Sequence, residues 1–207
     1  MVGQREYFDL PGRFIPSATV FQDSEHIESE LEQQLISVNT TIVTGFGLKF
    51  GISHGEYLVE QNTGKIYLVE IAARGGGVFI SSDIIPAATG VNANELLVKD
   101  ALGIYDDNIE IRKGAAAYFC YLLHEGEIVK INGCEAVNRI NGVRAAFFDN
   151  IELGMRIGPI SDKSSRKGPI IVEGECKSNC YDVIEKAKSI LQIETEKNGE
   201  IRGIIWK

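Results

Sequence analysis

The stretch Ile52–Gly77, ISHGEYLVEQNTGKIYLVEIAARGGG, contains two runs of β-forming residues, YLVEQ and KIYLVEIAAR. They are separated by Asn62–Gly64, an Asn-Thr-Gly sequence. A three-residue hairpin loop favours glycine at its last position, because that residue takes the left-handed backbone conformation. The pattern therefore predicts an antiparallel hairpin in which Gln61 pairs with Lys65.

This pairing places two acidic residues face to face. If Gln61 pairs with Lys65, the numbers of any two paired residues sum to 126, and Glu56 lies directly opposite Glu70. The Cβ atoms of such a pair are about 4.5–5.5 Å apart, and like charges at that distance are destabilising. The hairpin thus predicts either a raised carboxyl pKa or a cation between the two side chains.

The alternation of side chains along a strand predicts which residues share the face of Glu70. Ile66, Leu68, Ala72 and Arg74 fall on that face. Two close carboxylates suit Mg²⁺, which also takes water and phosphate oxygens, and Arg74 could bind a phosphate or carboxylate through both guanidinium nitrogens. The alternative interpretation places Glu56 in water at a frayed strand end and pairs Glu70 with a lysine or arginine. A slip of one residue would send one carboxylate to the other face.

Gly75–Gly77 form a glycine loop after the second strand, where backbone N–H groups can approach an anion closely. The loop matches neither of the phosphate-binding patterns GxxxxGK[ST] and GxGxxG, so it does not identify a nucleotide site by itself. His54 is a lone histidine, which is more often a packed or exposed residue than a ligand, and it is not assigned to the site.

Composition limits the classes of function. The chain has 207 residues and a net charge of −8, which argues against a surface that holds nucleic acid phosphates. No window approaches the roughly 18 apolar residues of a membrane span, and the N-terminus has no signal-peptide core. We expect a soluble cytoplasmic protein that binds neither nucleic acid nor membrane.

The four cysteines are Cys120, Cys134, Cys176 and Cys180. The spacing of the last two is not the CxxC of a zinc knuckle, and reduced thiols are the favoured interpretation. A zinc site built from all four remains an alternative.

The charged stretch DDNIEIRKG, residues 106–114, divides the chain near residue 111. Residues 23–38 and 92–103 are predicted as helices, the second capped by Asn92 and Gly103 with Leu97 and Ala101 turned inward. After Gly114, short strand-like runs alternate with Gly, Asn and Asp, followed by a helix over 178–193 and a final strand over 201–206. The predicted domains are 1–111 and 112–207.

The quoted stretch, followed by PAATGVNANELLVKDALG, resembles the second half of an ATP-grasp domain, most closely the carbamoyl-phosphate-synthase-like and amino-acid-ligase members. The resemblance implies an α+β fold, mainly antiparallel sheet with flanking helices, and a β-rich C-terminal subdomain. It also implies that Glu56 in HGEY and Glu70 in LVEIAAR bind Mg²⁺, or Mn²⁺, on the phosphates of ATP. By the same resemblance, Arg74 holds phosphate and the reacting acyl phosphate, and Gly75–Gly77 lie beside the substrate.

Two departures from the family pattern accompany the resemblance. Ala72 stands where many members have an asparagine ligand, which removes one oxygen from a second metal. Ahead of Glu56 the cations are only Arg5, Arg13 and Lys49, with no lysine-bearing strand pair. We therefore expect the C-terminal portion of a longer enzyme, inactive without the missing N-terminal ATP-grasp half. The apolar surface exposed by that absence favours self-association into a homo-oligomer.

The function implied by the resemblance is an ATP-dependent, ADP-forming carboxylate–amine ligase that acts on small-molecule substrates through an acyl phosphate. The rival is a non-catalytic binding or scaffold module derived from the same fold. Ala72 and the missing lysines favour the rival, whereas the opposed glutamates and Arg74 favour the ligase. A cysteine-bound metal protein is the third hypothesis.

Overall fold

The computed structural model describes residues 1–22, 30–104, 108–112 and 114–207. It contains two compact units, an N-terminal unit (Met1–Val2 and Gln22–Gly114) and a C-terminal unit (Gly3–Phe21 and Ala115–Lys207). The sequence-based domains 1–111 and 112–207 differ from these units because the first two strands belong to the C-terminal unit. Those strands pair with each other, and the second is hydrogen-bonded to a strand that begins at Ala115.

The elements are numbered in chain order. The strands are β1 (Gly3–Tyr7), β2 (Pro16–Gln22), β3 (His54–Val59), β4 (Ile66–Ala72), β5 (Ala115–Leu123), β6 (Gly126–Asn132), β7 (Val143–Ala146), β8 (Arg156–Ile157), β9 (Lys167–Gly174), β10 (Gln192–Lys197), β11 (Glu200–Arg202) and β12 (Ile204–Ile205). The helices are α1 (Glu30–Gly45), α2 (Ile85–Thr89), α3 (Ala93–Ala101), α4 (Cys134–Asn138) and α5 (Lys177–Ile190). A π-helical turn, Ile80–Ile84, precedes α2, and a 3₁₀ turn, Lys163–Ser165, precedes β9.

The first helix extends further than its sequence pattern indicates. Residues 23–29 of the predicted helix lie outside the described residues, and α1 continues past the predicted end at 38 to Gly45. The extension contains β-branched residues that ordinarily favour strands. The hydroxyls of Thr41 and Thr44 donate to the helix's own carbonyls at Ser37 and Thr40, at 2.9 and 2.8 Å, so their polar groups are satisfied within the helix.

The third helix has the predicted ends but not the predicted burial. The side chain of Asn92 accepts a hydrogen bond from the Glu95 N–H at 3.1 Å. Gly103, with φ +71°, follows the C-terminus. The expectation that Leu97 and Ala101 turn inward is wrong, because none of the α3 side chains is buried. Helical periodicity identifies an apolar stripe but does not show what covers it.

The C-terminal unit is built on two antiparallel sheets. One has the strand order β1-β2-β5-β9-β7, with β12 also on β5, and the other has the order β11-β10-β6-β8. All nine residues of β5 are buried, which explains their uninterrupted apolar sequence. Helix α5 buries Val183, Ile184 and Ala187 in the same core as alternate residues of β5. The predicted fold class, α+β with mainly antiparallel sheet and flanking helices, is confirmed.

The segment after α5 is a strand rather than the end of the predicted helix over 178–193. Leu191 leaves the helical conformation at φ −73° and ψ 123°, and β10 then alternates, burying Ile193 and Thr195. Within the described ranges, no helix combines the length and the apolar character that crossing a membrane requires.

Candidate functional site

The hairpin β3–β4 is closed by a turn one residue longer than predicted. The Glu60 N–H donates to the Lys65 carbonyl at 2.9 Å, and the Gly64 N–H donates to the Glu60 carbonyl at 2.8 Å. Gly64 has φ +68°, the left-handed conformation expected of it. The predicted pairing of Gln61 with Lys65 is therefore wrong, and Gln61 belongs to the turn.

A β-bulge restores the predicted pairing at the carboxylates. Next to the turn, Val59 pairs with Ile66 and Tyr57 with Leu68, whereas beyond the irregularity Glu56 pairs with Glu70. The extra residue is Val69 on β4, and one inserted residue reverses which face the neighbouring side chains occupy. Glu56 and Glu70 are thus directly opposed, as predicted.

The bulge also changes which side chains lie on each face of the hairpin, compared with the prediction. Leu68 is the partner of Tyr57, which neighbours Glu56 along β3 and points to the opposite face. The expectation that Ile66 and Leu68 share the face of Glu70 is therefore wrong. The face that carries the carboxylates is more polar than alternation alone indicates.

Arg74 lies beside the second carboxylate. Its Nη2 atom is 3.5 Å from Glu70 Oε1, and its Nη1 atom donates to the Gly75 carbonyl at 2.9 Å. Both charged side chains are 58% exposed, and exposed pairs of this kind contribute about 0.5 kcal/mol. The guanidinium can therefore turn to another anion at little energetic cost.

His54, which the sequence analysis leaves unassigned, lies on the carboxylate face. It pairs with Ala72 across the hairpin, and its Nε2 atom is 3.4 Å from Glu56 Oε1. Its side chain is only 20% exposed. The sequence could have identified it, because residue numbers that sum to 126 also pair 54 with 72. That pairing places His54 on the face of Glu56.

The three loop glycines meet different surroundings. A Cβ on Gly75 would lie 2.0 Å from Ser81 Oγ, and a Cβ on Gly76 would lie 2.9 Å from Ile80 Cδ1 and 3.0 Å from His54 Nδ1. A Cβ on Gly77 would have no neighbour within 4 Å. The first two glycines are therefore required by close approach, and the third is not.

The two residues that come directly after the glycine loop have a strained backbone. Val78 and Phe79 have φ +53° and +59°, a left-handed conformation that bulky side chains rarely adopt and that costs on the order of 1–3 kcal/mol. The π-helical turn Ile80–Ile84 comes next, and such turns are frequent at functional sites. Strain of this kind fits a segment whose shape serves a ligand.

The other face of the hairpin is anchored to α1. The Tyr57 hydroxyl donates to Asn39 Oδ1 at 2.9 Å, and burial raises the pKa of this tyrosine. A Cβ on Gly55 would lie 2.7 Å from the same Asn39 oxygen, so the helix and strand are in close contact. Helix α1 thus supports the hairpin from the side opposite the carboxylates.

The donor set of this face fits a magnesium ion that takes only part of its ligands from protein. The described residues contain no group of three or more His, Cys, Asp or Glu side chains arranged to hold a metal. Mg²⁺ is usually bound through one or two carboxylates, with water and phosphate oxygens completing the octahedron. Glu56 and Glu70 provide that number.

The cysteines do not form the alternative zinc site within the described part of the chain. All four are free. Burial raises the pKa of Cys120 to about 11 and that of Cys180 to about 12. Protonated, buried thiols are poor metal ligands, because the thiolate is the form that binds.

Comparison with known proteins identifies the fold that carries this site. Neither a protein-family model nor a curated protein matches the sequence. Solved structures do match it, and ATP-grasp ligases are among them. The chain has the fold of the C-terminal half of an ATP-grasp enzyme.

Three of the matched structures illustrate the likeness. The L-amino acid ligase from Bacillus licheniformis has a TM-score of 0.74 and 22% identity over 89% of this chain and 45% of its own. The phosphoribosylglycinamide synthetase from Anaerococcus prevotii has a TM-score of 0.76 and 14% identity over 95% of this chain and 49% of its own. The biotin carboxylase–βγ-ATP complex from Campylobacter jejuni has a TM-score of 0.53 and 16% identity over 92% of this chain and 40% of its own. The chain therefore spans about half the length of these proteins or less.

Proposed function

We propose that this chain forms the cation-binding and substrate-loop part of an ATP-dependent, ADP-forming carboxylate–amine ligase that acts through an acyl phosphate. The observation that carries the proposal is the direct opposition of Glu56 and Glu70, with Arg74 3.5 Å from the second carboxylate. The ATP-grasp fold supports the same class of reaction. The remaining ATP-grasp half would supply the other wall of the nucleotide site.

The reaction has a problem of charge that this face can solve. A substrate carboxylate must attack a phosphate that already carries several negative charges. When bound, Mg²⁺ or Mn²⁺ neutralises that charge and orients the phosphates. Glu56 and Glu70 hold the cation and take no part in proton transfer.

Arg74 and the glycine loop contact the reacting groups. The guanidinium leaves its exposed pair with Glu70 to bind the transferred phosphoryl group or the acyl phosphate through two nitrogens. The loop Gly75–Gly77 would present backbone N–H groups to an anionic substrate, as glycine loops can. A small-molecule carboxylate and an amine are the substrates of this arrangement.

Calorimetric titration with Mn²⁺ and Mg²⁺ tests the cation site. We expect saturable binding to the chain, and its loss in Glu70→Gln. Glu60→Gln is the matched control, because Glu60 lies on the same hairpin but its carboxylate accepts a hydrogen bond from Thr63 in the turn. Equal binding by all three proteins would contradict the assignment of the two carboxylates.

Formation of ADP tests the reaction. The chain is combined with an ATP-grasp N-terminal half and assayed with a panel of amino acids, with and without Mg²⁺. Turnover that needs both parts and is lost in Arg74→Ala supports the ligase. Cation binding without any turnover across the panel would favour the alternative, a non-catalytic binding or scaffold module, which Ala72 also favours.

A further inference from the structure

We propose that His54 is a positioning residue that couples the Glu56 carboxylate to the glycine loop. The imidazole would fix the carboxylate on one side and determine the position of Gly76 on the other. The role in cation binding rests on the proposed function, whereas the contacts themselves are features of the fold.

The first contact joins His54 to the carboxylate. Nε2 lies 3.4 Å from Glu56 Oε1, and both residues are on β3 with one residue between them. The tautomer with a proton on Nε2 donates to the carboxylate and fixes its orientation. Groups that orient a metal-binding carboxylate in this way typically change metal affinity by about 10- to 100-fold when they are removed.

The second contact joins the same ring to the loop. Nδ1 lies 3.0 Å from the position that a Cβ on Gly76 would take. Contacts this short leave no space for a methyl group, so an alanine at 76 must displace the imidazole, Ile80 or the loop. The two ring nitrogens therefore face two different parts of the site.

The surroundings of the ring limit its freedom. His54 is 20% exposed, compared with 58% for Glu70 and Arg74. The ring is also held on a strand, where His54 pairs with Ala72. A displacement of the loop at Gly76 would move the ring, and a displacement of the ring would move Glu56.

The first experiment measures Mn²⁺ affinity of the 207-residue chain by electron paramagnetic resonance. His54→Leu removes both nitrogens, whereas His54→Gln keeps an amide N–H close to the place of Nε2. We expect affinity to fall at least about tenfold in His54→Leu and to stay within about threefold of the parent in His54→Gln. Equal affinity in the parent and His54→Leu would overturn the positioning role.

The second experiment uses the two glycines as a matched pair. Gly76→Ala should weaken Mn²⁺ binding, and Gly77→Ala should not, since its methyl group meets no atom within 4 Å. In the His54→Leu background the effect of Gly76→Ala should shrink, because part of it acts through the ring. An undiminished effect would show that the alanine acts only through Ile80 and would overturn the coupling.

A metal-free measurement separates this inference from the proposed function. The ring proton signals of His54 are followed by NMR and assigned by their loss in His54→Leu. We expect them to shift in Glu56→Gln and Gly76→Ala but not in Gly77→Ala. If the parent binds no Mn²⁺, the proposed function fails while these shifts still decide the coupling, and signals unchanged by Gly76→Ala would overturn it. A nitrogen coupling from the imidazole to bound Mn²⁺ would make His54 a ligand and would equally overturn the positioning role.

Discussion

The hydroxyl of Ser81 occupies the space that a side chain on Gly75 would need. An ideal Cβ at Gly75 would lie 2.0 Å from Ser81 Oγ and 2.9 Å from Ser81 Cβ. The serine oxygen is buried and has no hydrogen-bond partner within the described residues. Gly75 and Ser81 are therefore fitted to each other by shape.

Substitution of Gly75 should accordingly destabilise the protein. We expect Gly75→Ala to lower the free energy of unfolding by about 1–3 kcal/mol, as for other overpacked sites. Ser81→Ala in the same chain should recover part of the loss, because it removes the shorter of the two contacts. Denaturant unfolding measures both changes, with Gly77→Ala as the control. A loss in Gly77→Ala equal to that in Gly75→Ala would contradict the packing argument.

The opposed carboxylates make stability depend on divalent cations. Without a cation, Glu70→Gln removes the repulsion from Glu56 but also the ion pair with Arg74, each about 0.5 kcal/mol, so the free energy of unfolding should change little. With Mg²⁺ at 100 times its dissociation constant, the parent should gain about 2.7 kcal/mol and the variant far less. Unfolding curves with Mg²⁺ or with a chelator test this. The same response to Mg²⁺ in parent and variant would show that the ion binds elsewhere.

In the C-terminal unit, Glu6 should make stability fall in acid. Partial burial opposes ionisation, but hydrogen bonds from Tyr181 and Lys207 outweigh it and hold the pKa of Glu6 below its usual range. Lys207 Nζ lies 3.1 Å from Glu6 Oε2. Because the folded-state pKa is the lower one, the stabilisation is present above the unfolded-state value of about 4.3 and is lost as the pH falls through the folded-state value.

The variant Glu6→Gln tests this dependence. We expect it to flatten the change of unfolding free energy below about pH 5, while lowering stability at neutral pH. Glu152→Gln is the control, since Glu152 is exposed. An unchanged acid slope in Glu6→Gln would mean that other carboxyl groups cause the acid sensitivity.

One thiol should react before the others. Hydrogen bonds from the Ser178 hydroxyl and the Asn179 N–H lower the pKa of Cys176, which precedes α5 and is partly exposed. Burial raises the pKa of Cys120 and Cys180, and the thiolate is the reactive form. With a thiol reagent at pH 8 we expect one phase about tenfold faster than the rest, absent in Cys176→Ser. Equal rates for several thiols would contradict this order.

The local chemistry of the hairpin was largely predictable from sequence. Glycine at 64 and the β-rich runs on either side predict a turn and two strands. The opposition of Glu56 and Glu70 then follows from counting residues outward from the predicted turn. The prediction was correct at the carboxylates although it was wrong at Gln61, because the longer turn and the bulge at Val69 compensate each other. No residue type in that strand identifies a bulge on its own.

The unpredicted features depend on contacts that a periodic sequence pattern does not encode. Ser81 meets Gly75 across a segment in which Val78 and Phe79 have a left-handed backbone. The assignment of β1 and β2 to the C-terminal unit depends on their sheet with β5, about a hundred residues later. A periodic pattern depends only on the spacing of residue types along the chain, so it does not indicate either relationship.

The bulge at Val69 has a consequence for comparing this chain with its relatives. Counted outward from the turn, the residue opposite Glu56 would be Val69, so strand pairing inferred from the turn alone would miss the second carboxylate by one position. A relative with a three-residue turn and an unbulged strand would bring the same two glutamates together. Both arrangements place the same number of residues between the two glutamates, so the two sequences align without a gap although the pairs near the turn differ.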